Sequence, residues 1–142
     1  MVEFKHGKYI VTEGKQDIPE PPWGGYLSPE TTTHVMYLDG NVIKGAFYME
    51  YVWFWPADKA ENISPRPHKH DYGEVLSFFG TNRDDPKELG AEIELWIDGE
   101  QNLMNKSFVA YIPAGTVHCP LNILKIWRPV FHVSAGQGTS YF

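Results

Sequence analysis

The stretch Pro67-His68-Lys69-His70-Asp71-Tyr72-Gly73-Glu74 places two histidines one residue apart and a glutamate four residues beyond the second. In an extended strand, residues i and i+2 point to one face about 6.6 Å apart, so His68 and His70 can aim their imidazoles at one ion. Glu74 keeps the same parity, and the intervening Asp71-Tyr72-Gly73 permits a bend that brings its carboxylate to the same point. Three such groups converging would bind a divalent transition metal. A bare H-x-H fits a pair of surface histidines in a Pro-rich loop equally well, so a second signal is needed.

That signal is Pro113-Ala114-Gly115-Thr116-Val117-His118-Cys119-Pro120-Leu121-Asn122. The two segments, HxH(x)3E and PxGxxH(x)3N, resemble the paired sequence motifs of the cupin superfamily, matching position by position in both ligand-bearing halves. The resemblance is strongest over residues 68 to 122, and the strand pattern extends it to about 42 to 134. It implies a jelly-roll β-barrel with one divalent metal per chain, held by His68, His70, Glu74 and His118. Three imidazoles and a carboxylate suit Fe, Mn, Ni, Cu or Zn without choosing among them, and two coordination positions would stay open for substrate or oxygen. The chain departs from the family pattern at turn positions: Asn62 and Ser107 stand where glycines are usual, the interval from Glu74 to Gly80 is one residue short, and residues 81–90 form an insertion.

Other residues carry weaker signals. Glu50 interrupts the apolar run AFYMEYVWFW, sharing a face with Tyr48, Val52 and Phe54. Turned inward, it could orient a ligand imidazole or transfer protons; turned outward, it would meet solvent or a partner subunit. His132 lies among apolar neighbours in PVFHV, a setting more common for a structural histidine than for an active-site one. Tyr111 and Trp96 could line the cavity, although strand aromatics are core by default. Glu50, Tyr111 and His132 are the proton-transfer candidates. Arg128 fits a substrate carboxylate or a surface ion pair. Cys119 has the wrong parity to share the direction of His118 and reads as a small core residue. His6 and His34 have no partner in sequence and read as surface residues.

The elements that must position these groups are β-strands. Aromatic residues make up 15% of the 142 residues, beside eleven prolines and thirteen glycines, which suits short strands and tight turns. Strand signals cover TTHVMYL, NVIKGAFYMEYVWFW, EVLSFF (74–79), AEIELWI (91–97), NLMNKSFVAYIP (102–113) and ILKIWRPVFHV (123–133). Asp39-Gly40 and Asp98-Gly99 have hairpin-turn composition, and TNRDDPKELG (81–90) reads as a loop with one helical turn after Pro86. The expected fold is all-β, a single barrel domain over 33–142 preceded by an arm over 1–32 in which Trp23 is a hydrophobic anchor. The arm packs on the barrel or on a partner subunit.

A net charge of −6 without a dense basic cluster argues against nucleic-acid and anionic-membrane partners. One cysteine excludes an internal disulfide framework, and the start lacks the apolar core of a signal peptide, so a cytoplasmic protein is expected. The cupin resemblance, together with these features, implies a metal-dependent enzyme (dioxygenase, lyase, isomerase or decarboxylase) acting on a small polar organic molecule, or alternatively a non-catalytic metal-containing binding or sensing module. Val52-Trp53-Phe54-Trp55 presents apolar side chains on both faces, which predicts a homodimer through this region.

Overall fold

The computed structural model describes residues 4–15, 17–18, 20–58 and 62–139. After a 3-10 turn at Gly7–Tyr9 come eight strands: β1 Thr32–Leu38, β2 Tyr48–Phe54, β3 Glu74–Gly80, β4 Glu88–Ile97, β5 Glu100–Lys106, β6 Phe108–Ile112, β7 His118–Ile126 and β8 Val130–Gly136. They form two antiparallel sheets, ordered β1-β2-β8-β3-β6 and β5-β4-β7, the double-sheet arrangement of a jelly roll. No helix among the described residues is long and apolar enough to cross a membrane.

Strand alternation decides what faces the interior. In β2, Tyr48, Glu50, Val52 and Phe54 are buried while Met49, Tyr51 and Trp53 are only partly so. The same alternation buries Val130, His132, Ser134 and Gly136 in β8. Register then lines these residues up across the sheet: Val52 pairs with His132 and His132 with Phe78, while Glu50 pairs with Ser134 and Ser134 with Leu76. Val52, Phe54 and Phe78 pack against Leu89, Ala91, Ile93 and Ile126 of the second sheet, and Leu76 and Ile112 close on Leu95. These contacts join the sheets and leave the inward polar residues facing a cavity between them.

Several boundaries differ from the sequence expectation. Asp39-Gly40 does not make a two-residue hairpin, because residues 39–47 form a longer connection to β2. Asp39 is buried and organises it, accepting hydrogen bonds from the Tyr37 hydroxyl (2.9 Å) and the Asn41 amide (2.8 Å). Asp98-Gly99 is a true hairpin turn, with φ of 49° and 77° at its two residues, the left-handed pair a type I′ turn requires. NLMNKSFVAYIP divides into β5 and β6 in different sheets. Ser107 makes the break, its hydroxyl accepting from the Gly80 amide (2.8 Å) and donating to the Pro86 carbonyl (2.7 Å).

ILKIWRPVFHV likewise divides between β7 and β8, where Trp127 and Arg128 turn their amides onto the Gly90 carbonyl ahead of Pro129. No helical turn follows Pro86; β4 begins at Glu88. Gly80 is required because a Cβ there would lie 1.8 Å from the Glu88 carbonyl oxygen.

Residues of the arm bond to the segment that leads to His68. Tyr26 pairs with Ile63, the Ser28 amide donates to Asn62 Oδ1 (2.7 Å), and the Arg66 amide donates to the Trp23 carbonyl (2.8 Å). Asn62 thus supplies a side-chain acceptor at one of the positions where a glycine is usual. The first three residues of the arm, Gln16 and Pro19 lie outside the described residues.

Candidate metal centre

His68 sits at the end of the 62–68 segment and forms an isolated antiparallel bridge with His118, the first residue of β7. Glu74 opens β3, and His70 lies between them in the connecting bend. Ring nitrogens of His68, His70 and His118 lie within 4.8 Å of one another. His70 Nε2 is 3.3 Å from one Glu74 carboxylate oxygen, and His118 Nε2 is 3.2 Å from the other. The structure therefore brings together all four groups singled out in the sequence, with His70, Glu74 and His118 buried.

Hydrogen bonding fixes which nitrogens face inward. The Arg66 carbonyl takes His68 Nδ1 at 2.7 Å and the Thr116 carbonyl takes His118 Nδ1 at 3.1 Å. A carbonyl only accepts, so both rings carry the proton on Nδ1 and present the Nε2 lone pair. His70 Nε2 and His118 Nε2 are buried without a hydrogen-bond partner; they approach Glu74 closely but outside hydrogen-bond geometry. A buried polar atom left this way costs about 1–3 kcal/mol. Lone pairs converging beside a carboxylate fit a divalent cation, and the donor set of three nitrogens and one oxygen suits a transition metal.

The electrostatics favour the deprotonated forms of His68 and Glu74. Burial, with the neighbouring His118 and His70, pushes His68 down to about 4. At Glu74 burial works upward, yet the adjacent imidazoles outweigh it and hold the carboxyl at about 2. Glu74 raises His118 against the opposing pull of burial.

Three of the four groups, His68, Glu74 and His118, form part of the wall of a cavity of about 610 Å³. Glu50 lines the same cavity, buried, so the outward alternative for its face is overturned. Both its oxygens are engaged: Oε1 accepts from the Tyr48 hydroxyl (2.6 Å) and Oε2 meets His34 Nε2 (2.5 Å). Tyr48 has spent its only proton on Glu50, so Ser134 donates to it at 2.7 Å. His132 also lines the cavity, with Nδ1 on the Ser77 carbonyl (2.8 Å) and its ring stacked on Phe78 at 4.1 Å. Burial pushes it down to about 4, so it is neutral at neutral pH.

Tyr111 is corrected: it is 58% exposed and does not line the cavity, because its register opposite Val75 puts it on the outer row. Trp96 is absent from the cavity wall too. Arg128 makes a surface pair with Glu88 at 3.8 Å. Cys119 departs from strand parity: a φ of +78° breaks the alternation, so it is buried and lines the cavity as His118 does. Burial, reinforced by Glu74, pushes its thiol up to about 12, leaving it protonated. It is not part of the converging ligand group.

Sequence reasoning missed His34, taken for a surface residue. His34 follows Thr32 on the inward face ahead of the bulge in β1, opposite Val52, and lines the cavity as the partner of Glu50. It also missed that Trp23 lies over His68, with rings 4.1 Å apart and 3° from parallel. The shared inward parity of Thr32, His34 and the strand start was the available signal for the first; nothing in the sequence marked the second.

The two antiparallel sheets, with histidines facing the space between them, make a jelly-roll arrangement. No protein-family model matches the chain, and no curated protein matches it. Among solved structures, it is similar to the polyketide cyclase RemF from Streptomyces resistomycificus (18% identity, 100% of this chain and 87% of that one, TM-score 0.48). It is also similar to a structure described as a predicted oxalate decarboxylase from Thermotoga maritima (12% identity, 74% and 76%, TM-score 0.48). A third is a cupin 2 conserved barrel domain protein from Salinispora arenicola (15% identity, 83% and 84%, TM-score 0.44).

Proposed function

We propose that the protein is a mononuclear metal-dependent enzyme that acts on a small organic molecule inside the barrel, with His68, His70, Glu74 and His118 as the metal ligands. The observation that carries this reading is the pair of buried, unpartnered Nε2 atoms of His70 and His118 on either side of the Glu74 carboxylate. A divalent ion bound there would supply Lewis-acid polarisation of a carbonyl or hydroxyl, or redox chemistry if it is iron. The chain's own residues do the rest. Glu74 stays ionised and His68 neutral across the physiological range, Trp23 covers His68, and Glu50 is held at a fixed orientation by Tyr48 and His34.

Dioxygenase, lyase, isomerase and decarboxylase chemistry all suit such a centre, in a cytoplasmic protein that forms a homodimer through the aromatic outer face of β2. Metal analysis of protein purified without added metal, run beside oxygen uptake with candidate substrates, separates them. Iron with substrate-dependent oxygen uptake means an oxygenase; zinc, manganese or nickel without it means a lyase or isomerase.

A specific observation favours a second reading, a metal-containing binding or sensing module. Of the three proton-transfer candidates, Tyr111 faces outward, both Glu50 oxygens are engaged, and His132 is stacked and bonded to Ser77. Tight ligand binding with no product formed under any metal would establish that reading.

A further inference from the structure

The cavity wall has a polar side away from the metal ligands. Glu50 and Glu74 both face inward from the same sheet, on strands separated by β8, and their β8 partners Ser134 and Gly136 are two residues apart. Two strand spacings across and one two-residue step along put their Cα atoms roughly 12 Å apart. A bound molecule can therefore touch the metal ligands at one end and the Glu50 network at the other.

The network has a direction. A carboxylate oxygen accepts, so His34 donates from Nε2 to Glu50 Oε2, and its Nδ1 lies outside that pair. The carboxylate orients the imidazole, and the imidazole, whose side chain is 37% exposed, is the member with a face left to offer a ligand. Between the two polar ends the wall is apolar, with Val52, Phe54, Leu76, Phe78, Leu121 and Ile123. Among the described residues that line the cavity there is no Lys or Arg. A small dicarboxylic acid would leave most of about 610 Å³ unfilled, and no described side chain could neutralise a second carboxylate.

We infer that the cavity takes an uncharged, mainly apolar molecule of one or more rings that carries a hydroxyl or carbonyl group, and that His34, oriented by Glu50, is the protein group that hydrogen-bonds to it. The inference rests on the reading of this cavity as the substrate site and deepens it. Glu50 is then a positioning residue, and its side chain need not touch the ligand.

The test uses the protein as purified, with a naphthalenediol and the matching naphthalenedicarboxylate as probes in titration calorimetry. The diol binds, the dicarboxylate binds at least about tenfold more weakly, and His34→Gln weakens the diol by about tenfold with an unchanged melting temperature. Nitrogen-15 shifts of the His34 ring report a proton on Nε2 in the native protein and its transfer toward Nδ1 in Glu50→Gln, a change that loss of packing alone would not produce. Equal or tighter binding of the dicarboxylate, an unchanged diol affinity in His34→Gln, or a native proton on Nδ1 overturns the inference. Metal content measured on the same samples keeps the two readings apart: metal-free protein that still discriminates the probes contradicts the metal assignment and leaves this one standing.

Discussion

The indole of Trp23 lies flat on the imidazole of His68, 4.1 Å between centroids and 3° between planes, and meets His70 edge-on at 5.0 Å. The arm thereby supplies part of the wall against which two candidate ligands are held. Removing the indole in Trp23→Ala is expected to cost about 1–2 kcal/mol of stability and to speed metal loss to a chelator severalfold, while Trp23→Phe keeps most of both. Chelator-competition kinetics on the two variants checks it; an unchanged rate in Trp23→Ala would show that the stack does not support the ligands.

His132 sets a pH dependence of stability. Its pKa is about 4 in the fold against about 6.5 unfolded. Between these values the unfolded chain binds more protons, so stability falls as pH drops from 6.5 to 4 and is not affected by this group above 6.5. The window amounts to about 3 kcal/mol. Denaturant unfolding at pH 7.5 and pH 4 is expected to show an acid loss smaller by about that amount in His132→Gln than in the native protein; equal losses would contradict it.

Gly80 leaves β3 directly beside the Glu88 carbonyl. Gly80→Ala forces the two strands apart at the Ser107 bracket and is expected to destabilise by about 3 kcal/mol or more, measured by thermal unfolding. Gly99→Ala places its Cβ in open space and costs only what its φ of 77° imposes, about 1 kcal/mol.

The outer face of β2 carries a stack of Trp53 on Trp55 at 5.3 Å, with Phe131 beside Trp53 at 4.7 Å. The homodimer expected through this region predicts a dimer by light scattering at micromolar concentration and a monomer for Trp53→Lys. A monomeric native protein would sink it.

The strand content and the convergence of His68, His70, Glu74 and His118 were legible because each rests on local pattern: alternation in Tyr48–Phe54, and the H-x-H, Glu and His spacing that the barrel brings together. What was not legible depends on irregularities that parity reasoning cannot carry through. The positive φ at Cys119 put two successive side chains on one side, and the role of His34 rests on its contact with Glu50 of the neighbouring strand, which only the fold brings near. Ser107 divided one apparent strand between two sheets through side-chain hydrogen bonds. Asp39 was read as half of a hairpin turn, whereas its buried carboxylate organises a nine-residue connection through partners that only the fold brings near.

The central claim is that His68, His70, Glu74 and His118 hold one divalent metal. Elemental analysis of the native protein and of His70→Ala, both purified without added metal or affinity tag and both checked for intact β structure by circular dichroism, tests it directly. The account predicts about one transition-metal ion per native chain and a near-complete loss in the variant with the barrel preserved. No metal in the native protein, or equal metal in both, would contradict it.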